Sequence, residues 1–178
     1  MQNTVLDFWF KEAGKEKWFV KDQNFDEEIK QRFADVLKQA AASEFNTWRR
    51  TAQGRLAEII VLDQFSRNMY RDTPAAFSQD AMALVLAQQA IELGILDELS
   101  LVERRFMLMP FMHSESKLIH QQAVPLFKRY ADDQVNHYEL LHKNIIDRFG
   151  RYPHRNDILG RESSAEEKEF LTQPNSSF

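Results

Sequence analysis

No stretch of this chain alternates apolar and polar residues with a period of two, and most stretches repeat their apolar residues with the period of a helix. That leaves little besides helices to build with. Five glycines and five prolines among 178 residues point the same way. Sandwiches and barrels of many short strands need more turn residues than that. The expectation is an all-α fold in a single domain over residues 1–178, with about seven or eight antiparallel helices joined by short loops.

The helices can be placed. Phe25, Ile29, Phe33, Val36 and Leu37 mark one face of an amphipathic helix, with Asn24 as N-cap and Glu27 set for a capping box. A short apolar segment at 4–10 predicts one or two turns ahead of it. One strong helix is predicted from Arg55 to about Met69. Another starts at Thr73-Pro74 and runs to about Leu93, stopped by Gly94. Ser100 and Glu103 form a capping box for a helix from Leu101, which Pro110 is expected to kink or end. Ser114 to Tyr130, bent at Pro125, comes next. A helix capped by Asp132 or Asp133 then ends at Phe149, with Gly150 as its left-handed cap. Residues 151–160 read as irregular, a last short helix begins near Ser164 and ends at Leu171, and the tail from Pro174 is expected to fray.

Composition removes several functions. There is no cysteine, which excludes disulfides, thiolate nucleophiles, cysteine zinc sites and iron–sulfur clusters. Met1 to Phe10 lacks a basic stretch before its apolar residues, as a signal peptide would have. The longest uncharged apolar run, Ala81 to Ile91, is far short of the ~20 residues of a membrane span. The chain reads as cytoplasmic. Its net charge of −4 disfavours nucleic acid as a partner. One segment opposes that balance: Arg148, Arg151, Arg155 and Arg161 stand against Asp157 alone.

Polar residues on apolar faces are the candidate site. Asp63 and Arg67 fall in the same stripe as Leu56, Ile59 and Ile60, four apart with the acid first, the favourable order for an intrahelical ion pair. They are either a buried structural pair or the lining of a pocket, and Gln64 and Asn68 extend the polar strip. His142 sits on the apolar face of Tyr138, Leu141, Ile145 and Ile146, where a hydrogen-bonded core residue is the commoner role. His113, Ser114 and Glu115 meet at a helix junction, and His113 or Glu115 could act as general acid or base. Together with His120 and His142 they could offer metal ligands, but no His-Glu-x-x-His spacing exists, so no metal is assigned. Arg151, His154, Arg155 and Asn156 lie beyond a helix end. They form either a solvated basic loop or an anion clamp, since arginine forks suit carboxylate and phosphate.

Several of these stretches occur together in one known family. Leu62-Asp63-Gln64-Phe65-Ser66-Arg67-Asn68, Pro110-Phe111-Met112-His113-Ser114-Glu115, Arg148 through Asn156, and Leu159-Gly160-Arg161, with Leu6 to Phe10 and Trp18-Phe19, resemble the domain-of-unknown-function family numbered 924. The resemblance reaches to about Leu171. It implies an all-α fold similar to tetratricopeptide-like helical arrays. It implies no reaction, so no role is carried over from it.

Two functions stay open. In the first, His113, Glu115 and His142 serve proton chemistry while Asp63, Arg67, Asn68, Arg151, His154, Arg155 and Asn156 hold a small anionic ligand in a cleft. In the second, the chain is a tetratricopeptide-like module that grips a peptide or protein, and the polar set is scaffold. Neither a membrane nor nucleic acid is an expected partner, and nothing in the sequence names a cofactor.

Overall fold

The regular elements of the computed structural model, which describes residues 1–177, are all helical. Helix α1 (Gln2–Asp7) runs on into a π-helical stretch, Phe8–Ala13. After α2 (Gln23–Ala41) comes α3 (Ala52–Ile60), which passes through a π turn, Val61–Phe65, into α4 (Ser66–Met69). Then follow α5 (Asp80–Glu92), α6 (Leu101–Met112), α7 (Lys117–Tyr130), α8 (Asp133–Phe149) and α9 (Ala165–Phe170). Among the described residues no helix is long and apolar enough to cross a membrane.

Caps place most boundaries where polar residues predict them. Ser100–Glu103 forms a full capping box, Asp132 caps α8, and Gly150 closes it at φ 70°. Several expectations need correction. Asp22, not Asn24, caps α2, because its carboxylate accepts from the N–H groups of both Asn24 and Phe25. The helix expected from Thr73 is broken: Pro74–Phe77 is a separate 3-10 turn, and α5 starts afresh at Asp80. Pro110 lies inside α6, which continues to Met112. Ser116, not Ser114, caps α7, which frees residues 113–116 as a connector. The tail to 177 is not frayed throughout, since Ser176 is buried and donates to the Leu171 carbonyl, while Pro174, Asn175 and Ser177 are exposed. Phe178 lies outside the described residues.

The main apolar core draws on α1 through α8. Its centre is aromatic: Phe8, Phe25, Phe33 and Phe65 stack or meet at an angle within 6 Å, and Trp9 lies against Phe65 and Phe106. Gly54 allows α3 to approach this core's edge, because a Cβ there would sit 2.0 Å from the Trp48 carbonyl oxygen. A smaller cluster, Ile145, Ile146 and Tyr152, with Phe149 and Phe170 against it, anchors the loop after α8. The wider π turn rotates the residues after Val61 relative to α3, and residues 56 to 66 are all buried.

Candidate functional site

A cavity of about 620 Å³ opens where α4, α6 and α8 meet the loop after α8. Its polar wall holds Arg67, Asn68, His113, His142, His154 and Arg155. Its apolar wall holds Met109 and Met112 of α6, Val135 of α8, and the rings of Trp18, Phe19 and Phe77.

Asp63 sits just behind that wall, on the π turn, and is 1% exposed. A carboxylate only accepts, so the 2.7 Å contact to His113 is Nδ1–H donating to Asp63 Oδ1. That fixes the tautomer and leaves Nε2 as the basic nitrogen, with no protein partner among the described residues. Arg67 lies 3.2 Å from the same carboxylate oxygen and donates to the Asp63 carbonyl. Its fork, however, closes on Asp80, at 2.9 and 3.0 Å. Burial works against the Asp63 charge, but Arg67, His113 and Gln64 overcome it, so this carboxyl ionises below its ordinary range. Burial and the nearby Arg67 hold His113 below its usual value, against the pull of Asp63. Burial takes His142 down to about 3, and burial with Arg155 takes His154 down to about 4. At neutral pH the cavity therefore carries three uncharged imidazoles.

Arg155 is held in an unusual way. Its guanidinium lies between two rings, 4.5 Å from the centre of Phe77 and 4.7 Å from that of Tyr152. One amino group reaches Asp80 at 3.3 Å. Its Nε is buried and unpartnered, as are His154 Nδ1 and Arg105 Nε on the same cavity.

Some of the expected residues are placed elsewhere. Arg151 forks onto Glu167 and touches the Glu162 carbonyl. Glu115 takes two bonds from Arg161 and one from the Tyr152 N–H. Burial raises its pKa, yet those donors prevail and hold it below the usual carboxylate range. Asn156 braces Ser163 and Arg161. These three hold the loop in shape and do not line the cavity. His142 does line it, with Nδ1–H donating to the Tyr138 carbonyl at 2.7 Å. Asn68 lines it while donating to Asp26 at 2.7 Å. His120 is a core residue, 2.8 Å from Glu139 and 2.9 Å from the Ser114 carbonyl. Among the described residues no group of three or more histidines and acids is placed to hold a metal ion.

Over residues 5–175 the chain matches the family model described as bacterial protein of unknown function, DUF924. The chain belongs to that family. A solved structure similar to it is that of a protein of unknown function, ATU0120, from Agrobacterium tumefaciens. The two are 38% identical with a TM-score of 0.90, over 96% of each chain. No curated protein matches. The DUF924 description names no function, so chemistry must be read from the side chains themselves.

Sequence reading missed Asp80, Phe77, Tyr152 and Arg105 in this DUF924 chain. Asp80 is the hub, because Arg67 and Arg155 both reach it. The available signal was weak: an acid in the first turn of a helix, which the helix dipole alone explains. Tyr152 was visible only as a member of the family motif. Its ring stacks on Arg155, and its hydroxyl donates to the Met112 carbonyl, tying the loop to α6.

Proposed function

We propose that the cavity binds a small organic anion beside His113, which exchanges a proton with that ligand or with a water on it. One observation carries the reading. Arg155, Arg105 and His154, each with a buried nitrogen that has no partner among the described residues, line the same cavity. Buried polar groups normally find partners, and a donor left open on a cavity is where a ligand's oxygen satisfies it. The rings around Arg155 fix its plane in advance, so little side-chain freedom is lost on binding. His113 adds a base. With Asp63 fixing Nδ1–H, Nε2 offers its lone pair beside the arginine subsite, as in general-base pairs of this geometry. The lining of one cavity by six of the expected residues also supports this reading over a peptide-gripping surface.

Titration calorimetry with a panel of carboxylates and inorganic phosphate tests it. At least one acid should bind saturably and raise the melting temperature. Arg155→Gln should weaken that acid tenfold or more. In His113→Gln, proton uptake on binding, read as the difference in heat between two buffers, should vanish. Failure of every acid to bind would end the proposal.

A further inference from the structure

The cavity is also a ruler. Arg105, Met109, Met112 and His113 border it from a single element, α6 and its C-cap, in that order. From Arg105 to His113 is eight residues, or about 12 Å of helix rise. His113 marks the end where Arg67, Asp80 and Arg155 gather. Arg105 marks the other end, in the neighbourhood of Asp132 and Tyr138. Between the two ends the wall is methionine.

Arg105 has no carboxylate in contact among the described residues. Asp132 is occupied as the cap of α8, its Oδ1 accepting from the Val135 N–H at 2.8 Å. Phe19 covers the guanidinium face at 4.4 Å, and Nε is buried without a partner. The other cations of the wall are matched. Arg67 and Arg155 share Asp63 and Asp80, and Arg71 forks onto Asp26. A half-buried arginine with no carboxylate in contact among the described residues, at one end of an apolar trough, is placed to take an anion from outside.

We propose that the ligand is an organic diacid, with one acidic group held at Arg155 and the second at Arg105, and an apolar body lying along Met109 and Met112. This rests on the anion-binding reading above and adds the second group, its distance and the character of what joins the two.

Straight-chain dicarboxylates from succinate to sebacate, each against the monocarboxylate of the same length, supply the test by titration calorimetry. The longer diacids should bind at least tenfold tighter than their monoacids, and succinate, far shorter than the ~12 Å of helix from Arg105 to His113, should show no such gain. In Arg105→Gln the ratio of diacid to monoacid affinity should fall to about one, whereas in Arg155→Gln both acids should weaken together. The wild-type ratio decides the matter even if a variant does not fold. Monoacids binding as tightly as diacids would overturn the diacid and leave the anion site standing. A ratio that survives Arg105→Gln would overturn the role of Arg105. If no acid of either kind binds, both readings fall.

Discussion

Around Phe8 the interior is ring against ring. Phe8, Phe25, Phe33 and Phe65 touch one another, and the shape of the rings decides how they pack. Around His113 the interior is donor against acceptor. Asp63, Arg67, Asp80 and Arg155 are fixed by direction and charge, and Phe77 and Tyr152 serve as platforms for a cation. The contrast teaches how to look for a site. A ring core has few valences to leave over, the Trp9 Nε1 being one, so an imperfect fit appears mostly as empty space. A polar interior has countable valences, and Arg155, His154 and Arg105, each with an unfilled nitrogen, all line one cavity.

Four measurements bear on that contrast, in order of falling effect. Phe65→Ala empties a site that is fully buried, and denaturant unfolding should show a loss of about 3–5 kcal/mol at any pH where the chain folds. Asp63→Ala strands His113 and part of the Arg67 charge. Unfolding should show a loss of about 3 kcal/mol, while Asp63→Asn should lose less stability and still free the His113 ring to turn. Acid should act on the polar region selectively. His142 and His154 are held down to about 3 and about 4 in the fold, while in the unfolded chain they ionise near the ordinary histidine value. The unfolded chain thus binds the extra protons. Stability is full above about pH 6.5 and falls as pH drops toward 4, by roughly 2 kcal/mol per histidine between pH 7 and 5. His154→Gln should flatten that slope, and an unchanged slope would mean that this ring is charged in the fold. The smallest effect belongs to Arg151→Ala. Its part-buried fork braces the buried Glu167 outside the cavity, so acid binding should be unaltered while unfolding shows a definite loss of stability.

The helical fold was legible because apolar periodicity is a property of neighbouring residues. So was the burial of Asp63 and Arg67, because both interrupt an apolar stripe. The π turn was not legible, since nothing in Val61 to Phe65 distinguishes five residues wound widely from five wound normally. Which arginine meets which acid was not legible either. The sequence points to Arg151 for the site, but Arg151 takes Glu167 and Arg161 takes Glu115, and of the arginines in this segment Arg155, beside His154, reaches inward. Counting charge along a chain gives the surplus and not its address. Arg105 was hidden for a similar reason: beside Arg104 on an amphipathic helix, it reads as part of a solvated face.

The contacts that define the polar region span long stretches of chain, 50 residues from Asp63 to His113 and 75 from Asp80 to Arg155. The contact of Phe8 with Phe25, by contrast, is local to the start of the chain, and the rings reach as far as the polar contacts only through Phe65 and Phe106. Closing long loops is slow, so the cavity should take form late in folding, after the rings have set the first helices against each other. Amide exchange should mirror that order, with α2 protected before the loop at residues 151–160 during refolding. An occupant of the cavity would then act on the last step of assembly. It should slow the loss of the loop far more than it speeds the gathering of the core.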